Sequence, residues 1–250
     1  MSILITGSSG GLGLDLGKIF LKNNHSVVFH SRNDIDIFSK HNISSKTAHQ
    51  IHCELSDFQD TKKTMHNLFN TSYKPNTVIC NAGRSSFEEK SETKLTSWNI
   101  AFNDNFYSAL NVINACREIR KSLKKEDNSF LNIICISSIC GHENIQGAPI
   151  QYSVSKSALN NMVKIYSKEL IREGIVLNAI SPGNMMFPGS LWENKFRTQK
   201  EKNLFLNNIP SNKFVESYEI YETINSLLSS NIKNLVGQVI IVDGGQVNSF

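Results

Sequence analysis

The run Thr6-Gly7-Ser8-Ser9-Gly10-Gly11-Leu12-Gly13, set directly after the apolar Ile3-Leu4-Ile5, constrains this chain more than any other feature. A short strand that ends in a glycine-rich turn and opens a helix brings backbone N–H groups and the positive end of a helix dipole to one point, which suits a pyrophosphate. Gly7 lets the chain turn sharply, Gly11 removes a side chain where phosphates must approach the backbone, and Gly13 lets the helix pack close to the sheet. Ser9 and Leu12 belong to the same turn and share its expected role in holding a dinucleotide. Alone, such a turn is a weak signal, because a flexible surface loop has the same composition.

The rest of the chain supplies the context. Apolar runs of strand length alternate with longer amphipathic stretches, which predicts strands near 2–6, 26–30, 48–53, 77–80, 130–136, 175–180 and 238–242. Helices are expected near 11–23, 57–71, 97–121, 151–173 and 217–229. This alternation implies an α/β fold: a Rossmann-type, doubly wound parallel sheet of about seven strands with helices on both faces, forming one domain over residues 1–250. Residues 184–212 interrupt the rhythm and are longer than an ordinary connection, so they are expected to form a lid over the substrate. Phe187, Leu191, Trp192 and Phe196 within that segment need an apolar surface to cover.

Composition excludes several classes. No stretch approaches the roughly 20 apolar residues that span a bilayer, and the first strand follows Met1 too closely for a signal peptide, so a cytoplasmic protein without membrane contact is expected. The five cysteines (Cys53, Cys80, Cys116, Cys135, Cys140) are scattered, with no metal-ligand spacing, and are expected to be buried thiols; no metal is expected. A net charge of +4, spread along the chain, argues against nucleic acid and leaves an anionic cofactor, substrate or carrier protein open.

Tyr152 and Lys156 lie four apart at the start of a predicted helix and so share a face. Upstream, the buried strand Ile133-Ile134-Cys135-Ile136 ends in Ser137-Ser138 at the carboxyl edge, where this architecture places ligands. A tyrosine ordinarily titrates near 10, and both a neighbouring ammonium and an oxidised nicotinamide favour its phenolate. Tyr152 can then exchange a proton with a carbonyl or alcohol oxygen while a serine hydroxyl orients that oxygen.

The T-G-x-x-x-G-x-G turn, Asn81-Ala82-Gly83, Asn105, Ser138, Tyr152 with Lys156, Pro182-Gly183, Gly237 and Val242-Asp243-Gly244-Gly245 together resemble the short-chain dehydrogenase/reductase family, over nearly the whole chain. The resemblance implies a catalytic set of Asn105, Ser138, Tyr152 and Lys156, with Asn105 holding a water in a proton relay and Lys156 also bonding the nicotinamide ribose. It implies that Asn81, Ala82 and Gly83 steady the central strands and set backbone beside the cofactor, as do Pro182 and Gly183. Two departures stand out. The interval from Ser138 to Tyr152 is one residue longer than the family's, which leaves Ser137 as the alternative, although Gly141 matches the family's Ser-x-x-Gly and favours Ser138. Met185, Met186 and Phe187 replace the threonine expected after Pro182-Gly183, so backbone near Met185 is expected to take over its cofactor contact.

An acidic residue at the end of strand two would bond a free ribose 2′-hydroxyl, and this chain has His30-Ser31-Arg32 there. A hydroxyl and a guanidinium suit a phosphate, so NADPH is expected ahead of NADH. Glu54 is expected to face the adenine amino group, with Leu55 beneath the ring. The leading reading is a metal-free NADPH-dependent reductase converting a ketone to a secondary alcohol. By resemblance the substrate is a 3-oxoacyl thioester on an acyl carrier protein, met by Lys124, Lys125 and Arg172. A keto-sugar or nucleotide-sugar is the alternative, suggested by Lys195, Arg197, Lys200 and Lys202. A non-catalytic dinucleotide-sensing scaffold is the reading from another class. The resemblance also implies a homodimer or homotetramer built on the long helices and the last strand.

Overall fold

In a computed structural model, which describes residues 1–87, 94–122, 130–190, 192–193, 195–229 and 234–248, seven strands form one sheet. They are β1 (Ser2–Ile5), β2 (Ser26–Ser31), β3 (Ala48–His52), β4 (Thr77–Cys80), β5 (Leu131–Ile136), β6 (Ile175–Pro182) and β7 (Val239–Val242). All neighbours pair in parallel, in the order β3-β2-β1-β4-β5-β6-β7. The order reverses where β1 meets β4, and the carboxyl ends of those strands open a crevice there.

Both faces of the sheet are covered, so the strands are near-continuous apolar runs. Leu4, Val28, Val78 and Ile133 face one way, onto a core shared with α3 (Phe58–Phe69), α5 (Ser108–Ser122) and α6 (Ile150–Leu170). Ile3, Ile5, Val27 and Ile134 face the other way, onto α1 (Gly11–Lys22) and α8 (Ser217–Ser229). Cys53, Cys80, Cys116 and Cys135 are buried and Cys140 nearly so. Burial pushes the Cys53 and Cys116 thiols up to about 12, which keeps them protonated. Among the described residues no helix is long and apolar enough to cross a membrane.

Three elements differ from expectation. A short α2 (Ile37–His41) follows β2, capped by the Asp36 carboxylate on the N–H groups of Phe38 and Ser39. The expected continuous helix over 97–121 is instead α4 (Leu95–Phe102), a π-helical turn over Asn103–Tyr107, and α5. Side chains accompany that turn at helix carbonyls, Asn105 Nδ2 donating to Ala101 O and Ser108 Oγ to Asp104 O.

The segment 184–212 is the third difference, since it contains α7 (Gln199–Leu206), capped by Thr198. Trp192 and Phe196 do not spread over another surface. They stack on each other and meet Phe205 and Phe214 at tilted angles, the Trp192 and Phe205 rings lying 4.4 Å apart. Leu191, Lys124 and Lys125 lie outside the described residues.

Candidate active site

The glycine-rich turn is held from two sides. Thr6 Oγ1 accepts from the N–H groups of Asn81 and Ala82, both at 3.0 Å, and Asn81 Nδ2 donates to Thr6 O at 3.0 Å and Gly7 O at 3.1 Å. Gly7 has φ +62°, and a Cβ there would sit 2.7 Å from Ala82 Cα, so neither the turn nor the approach of the two loops tolerates a side chain. From the other side His30, which carried no assigned role in the sequence reading, accepts the Gly7 N–H on Nδ1 at 3.0 Å. That bond fixes the tautomer, leaving Nε2–H to donate to Cys53 O at 3.1 Å. Burial dominates its titration and lowers its pKa to about 4. The signal in the sequence was its position at the end of β2, level with the turn.

Beyond this scaffold the turn fits an anionic ligand. Gly10 caps α1 with extended backbone and no capping side chain, and a Cβ on Gly10 would meet nothing within 4 Å. The space beside Gly10 lies at the positive end of the α1 dipole, which favours negative charge. Phe187 bounds that space, its Cε2 lying 3.3 Å from where a Gly11 Cβ would be. The clearance at Gly11 is thus shared with an aromatic ring from the segment after β6, which the sequence did not indicate. Gly13 lies against Asn81 and Gly7 O.

At the end of β5, Ser138 starts a 3-10 turn over Ile139–Gly141, its Oγ accepting from Cys140 N–H at 3.1 Å. The same hydroxyl acts on the Tyr152 phenol, favouring its ionised form against the larger effect of burial. Gly141 makes this meeting possible, because a Cβ there would lie 2.8 Å from the Lys156 carbonyl carbon and hold α6 away. Ser157 Oγ closes the contact by donating to Gly141 O at 2.9 Å. Ser138 rather than Ser137 thus reaches Tyr152, and Ser137 is buried with its N–H on Ile180 O.

Lys156 Nζ donates to Ile136 O at 2.8 Å and lies 5.8 Å from the centre of the Tyr152 ring. Burial governs both titrations. It lowers Lys156 to about 8, and it raises the Tyr152 phenol above its ordinary value against the opposing effect of Ser138. The expected drift toward phenolate is absent from the protein by itself. Gly83 forms the seam between two predicted residues, since a Cβ there would fall 2.7 Å from Asn105 Oδ1 and 3.6 Å from Lys156 Nζ.

The adenosine end departs further from the sequence reading. Ser31 is turned inward, its hydroxyl donating to Asn33 O and meeting His52 Nδ1, both at 2.7 Å, so it does not present itself to a ligand. Arg32 is held by two carboxylates, Glu54 at 3.0 Å and Asp104 at 2.6 Å. Glu54 Oε1 accepts from the Ser56 N–H and hydroxyl, so this carboxylate is occupied by protein partners. Leu55 packs into the core beside α3 and α5. Met185 packs into the opposite core and bridges to Val215, so its side chain is not placed for a cofactor; Pro182 ends β6 opposite Val242, with Gly183 next to Asp243. The rim pairings join residues far apart in sequence and left no local pattern to read.

The family model described as enoyl-(acyl carrier protein) reductase matches residues 7–246. The 3-oxoacyl-(acyl-carrier-protein) reductase FabG of Rickettsia felis is 29% identical over 247 residues, covering 98% of this chain and 95% of the relative. The same-named protein of Thermotoga maritima is 26% identical over 250 residues, covering 98% of this chain and 96% of the relative. Among solved structures, the RhlG/NADP active-site complex of Pseudomonas aeruginosa superposes with a TM-score of 0.82 at 23% identity, over 98% of this chain and 95% of that one. A short-chain dehydrogenase of Leptospira borgpetersenii with bound NAD+ gives 0.81 at 20% identity, over 98% and 91%.

Proposed function

Because the chain belongs to the short-chain dehydrogenase/reductase family of nicotinamide-dependent oxidoreductases, we propose that it reduces a ketone to a secondary alcohol with NADPH, Tyr152 supplying the proton. The observation that carries this reading is the meeting of Ser138, Tyr152 and Lys156 at the end of β5, where Lys156 Nζ lies 5.8 Å from the centre of the Tyr152 ring and Gly141 lets α6 approach the Ser138 turn. The cofactor supplies the hydride. The Gly7–Gly13 turn holds its pyrophosphate, backbone at Asn81-Ala82-Gly83 and Pro182-Gly183 lines its path, and Lys156 bonds the nicotinamide ribose.

The chemistry of the chain's own groups follows from their environment. Burial keeps the Tyr152 phenol protonated, which suits a proton donor, while Ser138 holds the substrate oxygen within reach of it. Lys156 supplies positive charge that stabilises the phenolate after transfer, its Nζ lying 5.8 Å from the centre of the ring. Asn105 acts by shaping the loop, because both amide hydrogens go to protein carbonyls, Arg84 O and Ala101 O, each at 3.0 Å. A 3-oxoacyl thioester on an acyl carrier protein is the favoured substrate, supported by the names of the relatives. The exposed Arg197 and Lys200 within the 184–212 segment favour a phosphorylated or nucleotide-linked keto-sugar as the second reading. A non-catalytic sensor fits poorly with Ser138, Tyr152 and Lys156 all in place, together with an Asn105 that shapes the adjoining loop. A one-domain cytoplasmic enzyme, dimeric or tetrameric through α4, α5, α6 and the last strand β7, completes the proposal.

The test is NADPH oxidation with an acetoacetyl thioester by wild-type protein and Tyr152→Phe, with cofactor affinity measured by fluorescence. Turnover reduced about 10²- to 10⁴-fold in the variant, with NADPH affinity kept, is expected. Turnover equal to wild type removes Tyr152 from the mechanism. NADPH binding without thioester turnover transfers the substrate assignment to the keto-sugar class.

A further inference from the structure

We propose that Arg84 is a second cationic contact for the ribose 2′-phosphate of NADPH, acting with Arg32, and that Asp104 is an internal anion holding the two guanidinium groups together until the phosphate replaces it. The inference rests on the NADPH reading above. Arg32 arrives from the end of β2 and Arg84 from the loop after β4, and both converge on Asp104 in the π-helical turn. Arg32 Nη2 lies 2.6 Å from Oδ1 and Arg84 Nε 3.1 Å from Oδ2, so each oxygen of one carboxylate holds one guanidinium.

Exposure separates the roles. The Asp104 side chain is 10% exposed, whereas those of Arg32 and Arg84 are 50% and 46% exposed. The arginines therefore keep donors toward solvent while their shared carboxylate sits beneath them. Carboxylates and phosphates suit the same guanidinium fork, and a phosphate brings more acceptor oxygens and more charge. Partly exposed ion pairs open at little cost.

Charge also calls for the second arginine. Arg32 alone is outnumbered by Glu54 and Asp104, a poor place for a phosphate, and Arg84 makes the positive and negative groups even. No other cation comes from the turn itself, where Ser8, Ser9 and Gly10 stand, and the Ser31 hydroxyl points inward. The Arg84 backbone is already clamped by Asn105, so only its side chain need move.

The experiment titrates NADPH and NADH against wild type, Arg84→Gln and Arg84→Lys, with adenosine 2′,5′-bisphosphate as a probe lacking nicotinamide. For Arg84→Gln, NADPH and the probe are expected to bind about 10-fold more weakly, the scale of one charge-assisted hydrogen bond, with NADH changed less than about 2-fold. Arg84→Lys is expected to restore part of the loss. Equal weakening of NADPH and NADH would reduce Arg84 to a structural partner of Asp104, and no weakening of either would remove the contact. Wild-type protein that binds neither cofactor, or prefers NADH, overturns the NADPH reading itself, a result separate from any variant.

Discussion

The side chain of Asn105 grips the backbone of Arg84 from both directions, Oδ1 accepting from Arg84 N–H and Nδ2 donating to Arg84 O, each at 3.0 Å. A third bond, from Nδ2 to Ala101 O, ties the same amide to the helix that the π turn interrupts. One buried side chain thus joins the loop carrying Asn81-Ala82-Gly83 to the helix behind the candidate catalytic residues.

Asn105→Ala leaves the Arg84 N–H and C=O without these partners. Stability is expected to fall by about 1–3 kcal/mol, the range for losing a buried hydrogen-bonding partner, and kcat by more than KM changes. Denaturant melts and steady-state kinetics on the same preparations check this. Unchanged stability would mean that the clamp does not hold the loop.

His30 makes folding sensitive to acid. Its pKa is about 4 in the folded protein against an ordinary 6.5, so below pH 6.5 the unfolded chain binds a proton that the folded chain refuses. The stability it contributes is complete above pH 6.5 and is lost as pH falls to about 4, on the order of 3 kcal/mol over that window. Urea unfolding of wild type and His30→Gln at pH 7, 5.5 and 4.5 isolates this contribution as the difference between the two curves, since His25, His49 and His142 are lowered in both. Parallel curves would refute the assignment.

The lid should respond to loss of its aromatic cluster without disturbing cofactor binding. Trp192 touches the rings of Phe196, Phe205 and Phe214, and Lys195 Nζ lies 4.1 Å from its ring centre. Each aromatic pair contributes about 0.5–1.5 kcal/mol beyond area burial, enough to hold a short segment. Trp192→Ala is expected to raise substrate KM several-fold, with NADPH affinity kept within about 2-fold. Faster proteolysis within 184–212 serves as an independent reading, and an unchanged KM places the segment outside substrate binding.

Much of the fold was legible because its signals are local. The central strands were visible as apolar runs, since burial on both faces leaves no polar alternation to blur them, whereas the edge strand β3, Ala48-His49-Gln50-Ile51-His52, is half-buried and mixed in polarity. The grouping of Ser138 with Tyr152 and Lys156 was legible only through the family resemblance, in which Gly141 matches the Ser-x-x-Gly that favours Ser138, and a Cβ at Gly141 would hold α6 away from that turn. The π turn, α2 and α7 were missed, because a few side-chain bonds to nearby backbone override an amphipathic period without altering it.

The sequence by itself determined the parallel sheet, the glycine turn at its switch point and the residue types that meet at the carboxyl edge, because each follows from neighbours within a few positions. Tertiary structure alone decided that Ser31 turns inward, that Met185 joins the core, that Phe187 borders Gly11 and that Arg32 meets Asp104 72 residues away. Contacts and charges act through space, and the chain separations they bridge leave no periodicity in the sequence from which to read them.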